Sequence, residues 1–444
     1  MIGIPQRYLT GRHPGVGGAI KQELEDFIVH EVPLYSPADH GEHTYFQIEK
    51  SDVSTLDAVD RIARALGVAP REIGFAGLKD RKAITRQALS VRHVPPECVL
   101  ALRISQLRVL WARRHINKLR VGHLKGNSFS IRLRGVNTTE AARRRLEAIV
   151  RTVIRLGLPN YYGPQRFGTR GDSFRVGLAL LRHDHVTAVR RILGFPSSTE
   201  RNPRVLLARH RFMNDDLHGA LEVLPTSYRT ERELLHYLAR SNNNYRGGTK
   251  RLPHNVKKIY YSALQSYLFN NVLDRRLELA GGVPGRLFEG DLAYLHRNGA
   301  VFQVRNPQRE QLRADAFELS PSGPTFGKMM PNPRGLQHQV ECEILDRLDL
   351  KHSGFHQLMP GLHMRGGRRA LRVPVKELAW EQNGSDVIFQ FFLPKGSYAT
   401  TFLREVMKTD TPPIAFYSDC AEDVPIPEPL NDSSEIALRG EVLS

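Results

Sequence analysis

Phe129–Ser130–Ile131–Arg132–Leu133–Arg134 alternates a large apolar side chain with a polar one. Successive side chains of a strand point to opposite faces of a sheet, so this period of two reads as a strand with one buried and one solvated face. Just downstream the period changes. Thr139 is placed to cap a helix whose apolar face is Leu146, Ile149, Val150, Val153 and Ile154, and Gly157 closes it. The same alternation of periods runs upstream. Ile20–Val32 and Thr44–Ile48 read as strands. Ser54-x-x-Asp57 is a capping-box variant opening a helix with Leu56, Val59, Ile62, Ala63 and Leu66 on one face and Gly67 at its end. Ile73–Phe75 and Ile84–Val91 read as further strands. Strands and helices mix without a regular βαβ repeat, which predicts an α+β fold with a mainly antiparallel sheet flanked by helices.

The character of the chain changes in the middle. Residues 186–368 read as helical at first, with Tyr260–Leu277 the strongest pattern, and loop-rich around Asn242–Thr249 and Pro321–Pro333. Val387–Phe391 then reads as a strand, Pro394–Lys395–Gly396–Ser397 as a turn and Ala399–Met407 as a helix. Residues 409–444 hold one Arg and eight acids and are rich in proline, so they are expected to be poorly ordered.

Composition bounds the function. The chain has 444 residues, 41% apolar and 25% charged, which is ordinary globular usage and excludes wholesale disorder. No apolar run is long enough to span a membrane, and Met1–Thr10 lacks the apolar stretch of a secretion signal. Three scattered cysteines, Cys98, Cys342 and Cys420, form neither a disulfide framework nor a metal motif. A cytoplasmic location is expected. The net charge is +18, and residues 101–150 alone hold twelve Lys or Arg against two acids. A basic body with an acidic tail points to a polyanionic partner, a nucleic acid above all.

Three polar, glycine-bearing segments stand out from the core pattern. Gly74–Phe75–Ala76–Gly77–Leu78–Lys79–Asp80–Arg81–Lys82 surrounds one carboxylate with cations, which keeps it ionised and fits a nucleophile or base acting on a polyanion; a turn Asp among surface charges has the same local signature. Asn160–Tyr161–Tyr162–Gly163–Pro164–Gln165–Arg166–Phe167–Gly168 combines stackable rings, an amide and a guanidinium, the groups that hold an extruded base, or else a loop packed by its own rings. Phe391–Thr400 runs strand, turn and helix start, placing Ser397 and Tyr398 at a helix N-terminus. His40–Gly41–Glu42–His43 and His183–Asp184–His185 lack partners at metal spacing and read as loop or surface histidines. Arg143–Arg144–Arg145 reads as a solvated helix face, and the arginines of Arg365–Arg372 as either an RNA-flanking segment or a charged linker.

Together these segments resemble the TruD family of pseudouridine synthases, over about residues 17–408. The most specific match is Gly77–Leu78–Lys79–Asp80–Arg81–Lys82–Ala83–Ile84–Thr85–Arg86–Gln87, joined by Asn160–Gly168 and by Leu393–Thr400 with Leu403–Arg404–Glu405. Glu25–Asp26–Phe27, Lys118–Leu119–Arg120, Leu124–Asn127, Ser262–Leu264 and Leu268–Asn270 support it. The resemblance implies an RNA-modifying isomerase that converts uridine to pseudouridine in tRNA, at uridine 13 in typical bacterial members, with neither metal nor organic cofactor. It implies a catalytic core over 1–185 and 369–408 and an inserted domain over 186–368. By resemblance Asp80 is the catalytic aspartate, and whether it attacks C1′, attacks the base or removes a 2′ proton stays open. Lys21 matches a basic residue beside the aspartate, Asn160 a substrate-binding amide, Tyr162 the ring packed on the target base, and Phe27 and Tyr398 further rings. Several bacterial members carry Phe where this chain has Tyr162 and Tyr398, so each hydroxyl adds a possible hydrogen bond. The partner implied is tRNA, with no membrane and no obligatory protein partner. Two other readings were a catalytically idle RNA binder, opposed by the intact Asp80, Asn160 and Tyr162, and a methyltransferase or nuclease, opposed by the lack of a glycine-rich cofactor loop or metal cluster.

Overall fold

The computed structural model describes residues 7–197, 200–350, 364 and 366–409. The acidic tail, apart from Thr409, and Arg365 lie outside the described residues.

Strands β1 (Gly17–Ala19), β2 (Phe27–Pro33), β3 (His43–Ser51), β4 (Gly74–Phe75), β5 (Ile84–Arg92), β6 (Leu107–His115) and β7 (Leu124–Val136) precede the middle of the chain. They are followed by β8 (Leu158–Pro159), β9 (Leu292–Leu295), β10 (Val301–Gln303), β11 (Leu319–Thr325), β12 (Gly367–Ala370), β13 (Arg372–Val373), β14 (Lys376–Asn383) and β15 (Asp386–Pro394). The main sheet runs β14-β15-β7-β2-β5-β3-β6, with β1 on β7 and β4 on β5. The alternating stretch Phe129–Arg134 is the middle of β7, with Phe129, Ile131 and Leu133 buried and Ser130, Arg132 and Arg134 partly exposed. Pairing is antiparallel throughout this sheet except between β2 and β5, where Ile28 faces Ile84 in parallel register. That one parallel pair sets the start of β2, at Phe27, beside the start of β5, just after Asp80.

The apolar face of β2, β7 and β15 packs on the helices Glu140–Leu156 and Ala399–Met407, through Leu146, Ile149, Val153, Phe402, Leu403 and Val406. The helix Thr55–Leu66 covers β3 and β5 through Val59, Ile62 and Ala63. Both early helices are capped as read: Ser54 accepts from the Asp57 N–H, Thr139 from the Ala142 N–H, and Gly67 takes the left-handed conformation at φ 68°. Asp26 is fully buried at the head of β2, where the Arg134 guanidinium meets it at 2.7 Å. Burial pushes its carboxyl up, but the Arg134 hydrogen bond, the Glu23 backbone N–H and the Arg132 charge outweigh this and hold it below the usual range.

A second body is helical. Phe167 and Phe174 join Leu264, Leu268, Phe326 and Val340 in one apolar cluster, so this packing begins ahead of the expected boundary at 186. The helix Ser173–Leu181 lies against the long helix His254–Leu279, and the approach is close enough at Gly177 that a Cβ there would overlap the Tyr260 carbonyl. Its sheet, β10-β9-β11-β12, corrects the loop reading of Pro321–Pro333 over Pro321–Thr325, and the remainder is loop. β11 contains Pro321 and Pro324, which signal loop locally, yet Leu319–Pro324 is buried between β9 and β12. The segment Asn242–Thr249 is likewise not all loop. Asn244 caps a helix, Tyr245–Arg251, whose paired glycines hid it.

His296, at the end of β9, bonds the Ser320 hydroxyl at 2.8 Å. Burial first, and the Arg372 and Lys376 charges second, push its pKa down to about 4. The unfolded chain therefore binds a proton that the folded chain refuses between the ordinary histidine value and that depressed one. Stability is expected to fall as pH drops through this window, by at most about 3 kcal/mol from this group. Urea titrations at stepped pH should show a shallower acid loss for His296→Gln than for wild type, and equal slopes would refute the assignment.

Candidate active site

Asp80 sits on the loop between β4 and β5. Its carboxylate accepts from the Lys21 ammonium at 3.1 Å, with the lysine side chain 2% and the aspartate side chain 27% exposed. One group is thus sheltered while the other faces outward. Lys21 follows β1 and holds φ at 56°, a left-handed conformation uncommon for a residue with a side chain. Its ammonium also lies 4.6 Å from the centre of the Phe27 ring. Lys21, Phe27 and Asp80, drawn from three segments, are one contact group.

Beneath the loop lie charges that sequence reasoning missed. Lys79 pairs with Glu31 of β2 at 2.6 Å, both side chains being buried. The ammonium of Lys50, from β3, donates to the Val53 carbonyl at 2.5 Å and to the Asp80 carbonyl at 2.9 Å. The Lys79 N–H bonds the Thr55 hydroxyl at 2.9 Å, which ties the loop to the start of the helix Thr55–Leu66. No spacing rule links these residues in sequence. The available signal was a glutamate and a lysine at strand positions otherwise reading as core.

Asn160, Tyr162 and Tyr398 form a second group. The Tyr162 and Tyr398 rings are 6.2 Å apart and tilted, and Phe269 meets Tyr162 edge-on at 5.4 Å. Arg369 lays its guanidinium 4.2 Å from the Tyr162 ring centre and donates to the Asn160 side-chain oxygen at 2.6 Å. The Asn160 amide nitrogen donates to the Ala370 carbonyl at 2.9 Å. Buried Asn160 therefore stitches its loop to β12, with the amide orientation set by these two partners. Asn270, fully buried on the long helix, accepts from the Tyr162 N–H at 2.8 Å and donates to its carbonyl at 3.1 Å. Arg369 belongs to the arginine run noted in the sequence, and Asn270 to the Leu268–Asn270 match. A buried amide in the middle of a helix must find partners, and here they are the main chain of Tyr162.

The two groups meet through residues 120–125. The Gly122 N–H donates to the Ala76 carbonyl at 2.8 Å, just ahead of Asp80. On the other side the Lys395 ammonium donates to the Gly122 carbonyl at 3.0 Å, and the Lys395 N–H to the Lys125 carbonyl at 3.0 Å, just ahead of Tyr398. Gly163 closes the contact between loops, since a Cβ there would stand 3.1 Å from the Thr400 hydroxyl and 3.5 Å from the Tyr398 ring. A shielded ammonium–carboxylate pair beside a ring, next to a second pair of rings with a stacked guanidinium, is suited to hold a flat, extruded base and act on it with one carboxylate.

The weaker sequence candidates have other duties. Glu42 pairs with Arg92 at 2.7 Å, Asp184 caps a helix by accepting from the Thr187 N–H, and His185 bonds the Thr249 hydroxyl at 2.7 Å. Arg143 and Arg144 pair with Glu147 and Glu140 along their own helix, at 3.5 and 3.2 Å. Among the described residues no helix is long and apolar enough to cross a membrane.

The chain matches known proteins along most of its length. The family model described as tRNA pseudouridine synthase D (TruD) matches residues 3–406. The chain is 43% identical over 402 residues to a protein of Geotalea daltonii named tRNA pseudouridine synthase D, covering 90% of this chain and 99% of that one. A protein of the same name from Thermus thermophilus is 35% identical over 409 residues, covering 91% and 94%. Among solved structures, a putative tRNA pseudouridine synthase D from Methanosarcina mazei superposes with a TM-score of 0.76 at 28% identity, over 91% of this chain and 97% of that one.

Proposed function

The chain belongs to the tRNA pseudouridine synthase D family, and on that premise we propose that Asp80 is its catalytic carboxylate and uridine 13 of tRNA its target. Members of this family isomerise uridine to pseudouridine in tRNA, and this chain is such an isomerase. The reaction breaks the bond from uracil N1 to C1′, turns the base and joins C5 to C1′. The proton leaving C5 is balanced by one gained at N1, so nothing is consumed. A stacked uracil cannot turn, so it must first be extruded. The observation that carries the assignment is the Lys21–Asp80 contact at 3.1 Å, with the Phe27 ring against the same ammonium.

In this reading Lys21 balances the carboxylate, and Tyr162, Tyr398 and Phe27 supply ring surface around the extruded base. Asn160 contributes the N–H that its bond to Ala370 leaves over. Arg369 takes one face of the Tyr162 ring. The residues 1–185 and 369–408 make the catalytic core and 186–368 the inserted unit, except that the helix Ser173–Leu181 packs with the inserted unit. The enzyme acts in the cytoplasm, without metal, organic cofactor or obligatory protein partner.

Incubating the protein with unmodified tRNA in a chelating buffer, then mapping product by carbodiimide-based sequencing, tests this directly. One modified position, uridine 13, is expected. Product only at other uridines would overturn the target, and product only on adding metal would overturn the cofactor-free reading.

A further inference from the structure

Lys50 is 1% exposed and sits near the end of β3, opposite Thr85 of β5 and Leu107 of β6. An ammonium withdrawn from water costs several kcal/mol unless it gains strong partners. The partners here include the Val53 carbonyl at 2.5 Å and the Asp80 carbonyl at 2.9 Å, with the Lys79 carbonyl at 3.5 Å. A neutral donor would tie this turn at far less cost. What the lysine adds is a charge-assisted bond to the main chain of Asp80, whose carboxylate meets Lys21. The third ammonium nearby, that of Lys79, is matched by Glu31. Lys21 and Lys50 both bond to Asp80, one at its carboxylate and one at its carbonyl.

We propose that Lys50 is a positioning residue for the isomerisation: it fixes the Asp80 main chain so that the carboxylate stays on its Lys21 contact. This rests on Asp80 being the catalytic carboxylate. The geometry favours a rigid anchor, because Lys50 projects from a strand hydrogen-bonded on both sides, whereas Asp80 rides on a loop. A carboxylate displaced by a fraction of an ångström loses its alignment with the reacting carbon and little of the RNA affinity.

The test compares Lys50→Gln, Lys50→Met and Asp80→Asn in single-turnover isomerisation of tRNA, with tRNA affinity measured in parallel. Lys50→Gln keeps N–H donors without the charge, so it carries the test if Lys50→Met does not fold. The expected result is a rate about 10²-fold lower for Lys50→Gln, with tRNA affinity within about threefold of wild type. In Lys50→Ala, added ethylammonium is expected to restore rate and ethanol to restore none, which separates charge from filled volume. A wild-type rate in Lys50→Gln, or equal rescue by both additives, would overturn the proposal. Full activity in Asp80→Asn would instead overturn the assignment of Asp80, whatever Lys50 does, so the two failures are distinct.

Discussion

Asp80→Asn is expected to abolish product: pseudouridine formation falls at least about 10³-fold while tRNA affinity stays within about threefold of wild type. Asparagine matches the shape of aspartate and can still accept from Lys21, so the change removes little more than the charge. Every route open to this residue, attack at C1′, attack on the base or capture of the 2′ proton, starts from a carboxylate oxygen with negative charge. The amide supplies none of them. Binding should survive, because tRNA affinity comes mainly from cations along the phosphate backbone and Asp80 opposes rather than adds to that field. Carbodiimide mapping gives the product and an equilibrium binding titration gives the affinity. Undiminished product would refute the role. Loss of binding in step with activity would show that the variant damages the fold, since the Lys21 ammonium, 2% exposed, loses the Asp80 charge.

The largest effect on stability is expected at Asp291. Arg276, on the long helix His254–Leu279, forms a two-pronged bond to this carboxylate, one prong at 2.9 Å, and the side chains are 2% and 1% exposed. Burial works against charge on both, pushing the Asp291 carboxyl up and the Arg276 guanidinium down, and their mutual attraction is the largest influence opposing it. Asp291→Ala leaves a buried guanidinium without its anion, and a loss of about 3–5 kcal/mol is expected. The double variant Arg276→Met, Asp291→Leu should recover part of this, because the charge is gone along with its partner. Recovery stays partial because Asp291 also holds the Phe288 N–H at 2.8 Å and Arg276 the Arg286 carbonyl at 3.0 Å. Urea unfolding midpoints of the three proteins decide it: a double variant no better than Asp291→Ala would mean these lost bonds, not the orphaned charge, set the cost. The same helix carries Asn270, so the single variant should also loosen Tyr162.

What the sequence made legible was what local chemistry dictates. Caps at Ser54 and Thr139 act within one turn, and the alternation in β7 needs no distant partner, so both could be read from neighbours alone. Pro321, Pro324 and the pair Gly247–Gly248 carry equally clear local signals, and these were overridden by burial between strands and against helices that lie far away in the chain. The site divides in the same way. Asp80, Lys21, Phe27, Asn160, Tyr162 and Tyr398 became readable only as pieces of a family pattern. Glu31 and Lys50 went unread, and Asn270 and Arg369 were noted without a contact, because each acts through a partner that sequence spacing does not identify. Lys50 reaches the Asp80 carbonyl from the neighbouring strand β3, and Arg369 reaches Asn160 from beyond the whole inserted unit in sequence.

The main sheet also constrains how the protein can be made. β15 lies between β7 and β14, and the helix Ala399–Met407 is bound to the early segment through Glu405, which accepts the Leu9 and Thr10 N–H groups at 2.8 and 3.1 Å. A chain emerging from the ribosome has Asp80 and Tyr162 outside long before these last pieces exist. Its helical middle can pack while β7 still waits with one edge unpaired, a surface that invites wrong partners. Activity should therefore appear only after the final strand leaves the exit tunnel, and chains stalled within the inserted unit should depend on chaperones to keep that edge covered.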